Sequence, residues 1–117
     1  MLAFILREPG HEKVFPHLGN GMASAVNIAE VGARLCDKGL SIAEARRTIE
    51  RLYLEVVAFD VRLARISTAV RAATRTCGLS LGDRACLALS LDRRLPVLTA
   101  DRAWKTVEIG VSIELIR

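Results

Sequence analysis

The sequence predicts an α/β protein, and three observations point that way. The run Asp83–Arg93 is apolar nearly all the way round, with Ala85, Cys86, Leu87, Ala88, Leu89 and Leu91, a pattern a helix tolerates when most of it is buried. A tight connection leads from it into Pro96-Val-Leu-Thr99, a short apolar run bounded by proline and polar residues, as expected of a strand covered on both faces. A further helix starts just beyond Asp101. A buried helix feeding a buried strand is a unit of α/β architecture.

The remaining elements fit around that unit. Leu2–Arg7 reads as a short helix stopped by Pro9-Gly10, and His11–Leu18 as a second helical patch interrupted by Pro16. Met22-Ala-Ser24 is a short strand ending at a helix cap, with Ser24 capping a helix from Ala25 to Asp37. Gly39 closes that helix, and Ser41-Ile-Ala-Glu44 is a capping box opening the next, which runs to about Leu52 with Arg46, Arg47 and Arg51 outward. Leu54–Ala58 is a strand by its β-branched centre. Asp60 caps a long helix to Cys77, with Leu63, Ile66, Val70, Ala73 and Cys77 on its apolar face and Gly78 as its stop. Val111–Leu115 alternates and reads as a final edge strand.

The bulk properties set outer limits. A chain of 117 residues is a single domain, residues 1–117, with enough length for a core. Hydrophobic residues make up 51%, yet no apolar run approaches the roughly 18 residues of a membrane span. The excess points to a further apolar surface, a dimer or partner interface. The amino terminus lacks the basic leader of a signal peptide, so the expected location is the cytoplasm. Cys36, Cys77 and Cys86 lack metal-ligand spacing and read as reduced core residues. A net charge of +4, carried mostly by arginine, suits phosphate contacts without by itself requiring them.

Three acids stand apart from this framework. Glu30 lies among Val26, Ala29 and Ala33, small apolar neighbours unusual for a solvated carboxylate; it either points into a pocket or lies between two layers. Asp83 starts the buried helix and Asp101 follows the strand by two residues, at the end of the sheet where ligands of open α/β folds gather. Each has a plain alternative as a helix cap, Asp83 with Ser80 and Asp101 for the turn Arg102–Thr106. Together they are hard oxygen donors of the kind Mg²⁺ or Mn²⁺ prefers, with waters and phosphate oxygens completing the octahedron. Glycine-rich nucleotide loops, His-Glu-x-x-His and Gly-x-Ser-x-Gly are absent.

Leu2-Ala-Phe-Ile-Leu-Arg-Glu-Pro-Gly10, Ser24-Ala-Val-Asn-Ile-Ala-Glu-Val31, Leu79-Ser-Leu-Gly-Asp-Arg-Ala-Cys-Leu-Ala88 and Leu98-Thr-Ala-Asp-Arg-Ala-Trp104 occur in an order that resembles the PIN-domain endoribonuclease toxins of the VapC type, essentially from end to end. The resemblance implies a three-layer α/β/α sandwich around a mostly parallel sheet. It also implies Mg²⁺- or Mn²⁺-dependent cleavage of RNA, silencing by a cognate antitoxin, and a homodimer. By carry-over, Glu30, Asp83 and Asp101 are the catalytic, metal-binding acids and Thr99 a supporting hydroxyl. Arg84 and Arg102, each next to a site acid, are candidate RNA contacts. The family also uses an aspartate at the end of a first central strand, before the helix that Leu2 begins, and here no aspartate precedes Asp37. The expectation is therefore a site short of one acid and a sheet short of its first strand, through a late start or a degenerate member. Two rivals follow: a fold that binds RNA or antitoxin without cutting, and a phosphoacceptor using the acidic pocket.

Overall fold

The parallel strands of this fold come in two pairs, gathered by one buried helix. The computed structural model describes residues 1–117. In chain order its elements are α1 (Leu2–Ile5), β1 (Met22–Ser24), α2 (Ala25–Asp37), α3 (Ile42–Glu50), β2 (Glu55–Val57), α4 (Val61–Ala73), α5 (Leu81–Arg93), β3 (Val97–Thr99) and β4 (Ile113–Leu115). Short 3₁₀ turns at His11–Lys13, Phe15–His17, Arg75–Cys77 and Arg102–Thr106 fill the connections. No helix is long and apolar enough to cross a membrane.

The helix starts follow the predicted chemistry. Ser24 accepts from the Val26 amide and Asp60 from that of Leu63. Both capping boxes form, Ser41 with Glu44 and Ser80 with Asp83, so α5 begins at Leu81, two residues before the predicted start. The predicted helix to Cys77 ends earlier, at Ala73. Thr74 turns its hydroxyl back to the Val70 carbonyl at 2.6 Å, and a 3₁₀ turn carries the chain on to Gly78. As a result Ala73 is exposed, and Ser67 and Thr74 take buried places along that segment.

α5 is the spine. Ala85, Leu87 and Ala88 are fully shielded from water, and Leu87 joins Val70, Val97, Trp104 and Val107 in the largest core cluster. Burying one such leucine contributes about 1.5–3 kcal/mol. On the other side of the strands, Ala3, Val14 and Ile116 pack with Leu98. Leu2 and Ile5 of α1 pack with Val31, Leu35 and Ala45 of α2 and α3. Helices therefore cover both faces of parallel strands, the α/β/α arrangement expected. Gly10 sustains this packing: its φ is +88°, and a side chain there would run into the Ile116 carbonyl.

Strand pairing departs from a single sheet. β1 pairs in parallel with β2, Ala23 opposite Val56, and β3 pairs in parallel with β4, Leu98 opposite Glu114; no ladder joins the two pairs. Arg93, at the end of α5, lies 4.0 Å from the Met22 sulfur, whereas Gly82, at its start, accepts a hydrogen bond from Asn27 just beyond β1. α5 therefore runs antiparallel to β1. It is antiparallel to β3 as well, because a tight turn at Arg94, where Leu95 and Ser90 bond to each other, reverses the chain directly. β1 and β3 share one direction under the same helix, with their carboxyl ends at the start of α5. Val97 and Thr99 use their backbone groups on β4, so those of Leu98 point away from β4.

Candidate functional site

The site lies where the carboxyl ends of β1 and β3 meet the first turn of α5. α2 follows β1 directly and carries Glu30 over that turn. The Glu30 carboxylate rests against Gly82, occupying the space where any side chain at position 82 would begin. Asn27, one turn earlier on α2, holds it there: its amide donates to Glu30 Oε1 at 3.1 Å and to the Gly82 carbonyl at 3.0 Å. Glu30 is exposed, so it lies across two elements at the surface and not inside an enclosed pocket.

Asp83 is the residue after Gly82, half-buried. One carboxylate oxygen accepts from the Ser80 amide at 2.9 Å, while the Ser80 hydroxyl accepts from the Asp83 amide at 3.2 Å. Its other oxygen, Oδ1, has no such partner. Its neighbour one turn on is Cys86, whose thiol is pushed up to about 11, by burial first and then by the Asp83 carboxylate. Among the three cysteines, Cys36 is exposed, contrary to the expectation of a core position, and Cys77 and Cys86 are half-buried.

Asp101 sits at the same end of the strands. Its Oδ1 accepts from the Ala103 amide at 2.9 Å, capping the turn Arg102–Thr106. Thr99 supports it, its hydroxyl accepting from the Asp101 amide at 3.1 Å. The expected arginines differ in availability. Arg84 is half-buried and donates to the Leu79 carbonyl at 2.9 Å; Arg102 is exposed and takes part in no ion pair.

Glu30 is thus brought against Gly82, the residue before Asp83, and Asp101 to the same end of the strands. No three His, Cys, Asp or Glu side chains stand close enough to hold one ion among them. The donors fit a hard divalent ion in kind, and one or two carboxylates suffice for Mg²⁺ when waters and phosphate oxygens complete its shell. Two positions of the site escape a reading of the sequence. Gly82 is legible in principle, since a glycine in the first turn of an otherwise buried helix implies a close neighbour. Asn27 lies three residues before Glu30, on the same helical face.

Comparison with curated proteins gives no match. Comparison with protein families matches the PIN domain over residues 1–110, nearly the whole chain. PIN domains are generally nucleases and typically use divalent metals, which agrees with a surface site of oxygen donors at the carboxyl ends of parallel strands. The chain belongs to the PIN domain family.

Proposed function

We propose that the chain is a divalent-metal-dependent endoribonuclease toxin of the VapC type, acting in the cytoplasm as a homodimer and neutralised by a cognate antitoxin. Glu30, Asp83 and Asp101 are its catalytic and metal-ligating acids, Thr99 is the supporting hydroxyl, and Arg102 with Arg84 faces the RNA. One observation carries this reading: the Glu30 carboxylate is laid over Gly82, next to Asp83, and braced by Asn27. Carboxylate oxygens presented at the surface are the donors a hard divalent cation takes.

A bound Mg²⁺ or Mn²⁺ would lower the pKa of water and neutralise charge on the attacked phosphate. The chain's own residues prepare the place. Asn27 sets the direction of the Glu30 carboxylate, the Ser80–Asp83 box leaves Asp83 Oδ1 free, and Thr99 fixes the turn from which Asp101 presents its second oxygen. Exposed Tyr53 and Val56 border a groove lined by Ile28 and Ile49, and supply apolar surface for the second copy or the antitoxin.

The test is cleavage of a structured RNA in Mg²⁺ or Mn²⁺, compared with Asp101→Asn and Glu30→Gln. Loss of cleavage in both variants, with an unchanged circular dichroism spectrum, supports the reading; full activity in either removes that acid. A second reading is supported by the missing three-acid cluster and by the caps that engage one oxygen each of Asp83 and Asp101. In it, the fold binds RNA or antitoxin without cutting. RNA binding with no metal-dependent cleavage by the unsubstituted chain would select that reading.

A further inference from the structure

Away from the acids, α1 and α3 enclose a concave surface of about 600 Å³. Phe4, Arg7, His11, Thr48 and Arg51 line it. No carboxylate lines it. The ion pairs of the chain involve Arg62, Arg93, Arg117 and His11, so Arg7 and Arg51 both reach it uncompensated. Glu12, 3.6 Å from His11, and Glu8, 3.7 Å from Arg117, lie outside the lining. Two guanidinium groups facing one concavity repel each other, and each offers a fork that fits phosphate oxygens. Arg7 is held there by a left-handed backbone, φ +53°, a conformation a non-glycine residue adopts only when its surroundings impose it.

Aromatic rings continue the same surface. Phe4 lies 6.4 Å from Phe15 and 6.5 Å from His11, centroid to centroid, and Phe15 is 68% exposed. The His11 ring is fixed through Nδ1, which bonds the Glu8 carbonyl at 2.9 Å. Unpaired arginines beside exposed rings are what single-stranded nucleic acid needs, phosphates on the cations and bases on the rings. Bases in a duplex are already stacked and cannot use such rings.

We propose that this surface is a subsite for single-stranded RNA, with a backbone phosphate between Arg7 and Arg51 and a base stacked on Phe15 and Phe4. The proposal rests on the RNA-directed reading above and adds to it a second region of the protein that touches the strand. α1 belongs to both regions: Leu2 and Ile5 pack against the cluster of Val31, Leu35 and Ala45 formed with α2, the helix that carries Glu30, while Phe4 and Arg7 line the concavity.

The experiment is fluorescence anisotropy of a labelled single-stranded oligoribonucleotide with the full chain in EDTA, so that binding is read apart from cleavage. Arg51→Glu and Arg7→Gly, the latter relaxing the left-handed backbone, are each expected to weaken binding and to lower the salt slope by about 0.7 for every phosphate that is no longer neutralised. Phe15→Ala is expected to weaken it by about fivefold or more. An RNA duplex of equal charge is expected to bind less tightly than the single strand. Unchanged affinity and slope in the folded variants would overturn the subsite, while metal-dependent cleavage by the unsubstituted chain would leave the nuclease reading intact. An oligoglutamate peptide that displaces the RNA, and binds more weakly to the same variants, would assign the surface to an acidic protein segment and overturn it too. Absence of any RNA binding by the unsubstituted chain in EDTA would overturn the subsite, and absence of metal-dependent cleavage as well would overturn both readings.

Discussion

Glu30 on α2 and Gly82 on α5 are in direct contact, carboxylate against Cα, although 52 positions separate them in the sequence (82 − 30 = 52). The contact exists because position 82 has no side chain. It ties the direction of an exposed acid to the helix start that carries Asp83.

Gly82→Ala tests that tie. The added methyl group enters the space of the Glu30 carboxylate, which must swing away into solvent. Alanine in a helical turn gains about 0.5–1 kcal/mol over glycine, so global stability is expected to change little. Displacing a catalytic group by about 1 Å costs roughly 100-fold. Under the proposed function, metal-dependent RNA cleavage is therefore expected to collapse while the thermal midpoint stays near that of the parent, a split read by parallel activity and melting measurements.

Asn27 is the second support of this contact. Asn27→Ala removes donors to Glu30 and to the Gly82 carbonyl and is expected to cost about 0.5–1.5 kcal/mol in denaturant unfolding. Asn27→Asp replaces the donor by a carboxylate facing two acceptors, so the larger loss is expected there. Equal losses in the two variants would show that the hydrogen bonds contribute nothing.

Asp92, at the end of α5, is 12% exposed by side chain and opposes the helix dipole. Arg62 of α4 reaches it at 2.7 Å, and Arg93 approaches its other oxygen at 3.4 Å. Arg62→Ala leaves that carboxylate with the weaker partner alone; because the Arg62 side chain is mostly exposed, the expected loss is about 0.2–1 kcal/mol. Asp92→Asn, which removes the charge itself, is expected to restore part of the loss in the double variant. Urea unfolding of the two single variants and the double variant measures the coupling.

The capping box of α3 gives a pH signature. Hydrogen bonds from Ser41 hold the Glu44 carboxyl below its ordinary range. A carboxyl depressed in the folded state contributes stability above its unfolded pKa and loses it as pH falls through the folded value. Ser41→Ala is therefore expected to flatten the acid limb of the stability profile, with its largest penalty at neutral pH. Parallel profiles for the two proteins would exclude this origin.

Thiol chemistry distinguishes the cysteines. The thiolate is the reactive form, and burial beside Asp83 holds Cys86 at about 11. With iodoacetamide on the native protein, Cys36 is expected to be modified first and Cys86 last, as peptide mapping would show.

Local signals in the sequence translate faithfully into structure where one side chain meets its own backbone. Ser24, Ser41 and Asp60 cap where predicted, and Met22–Ser24 and Ala25–Asp37 have the predicted bounds. Other relations are not legible, one of them local. Thr74 ends a helix that periodicity carries to Cys77, because its hydroxyl competes for the Val70 carbonyl. Cys36 is exposed on an amphipathic helix whose buried stripe runs through Val31 and Leu35. Small neighbours mark Glu30, but its partners Asn27 and Gly82 emerge only once α2 is laid over α5. The Phe4, Arg7 and Arg51 surface likewise comes from segments more than 40 residues apart (51 − 7 = 44).

The seam between the two strand pairs has a mechanical meaning for the acids. Glu30 belongs to the β1 side and Asp101 to the β3 side, and no backbone bond crosses between them. Their spacing is set by how α5 and α1 grip the two halves from opposite faces, as a clamp sets the gap between two plates. Side-chain packing is softer than a ladder of amides, so core substitutions at Leu87 or Ala3 will tune the opening between the acids before they unfold the chain.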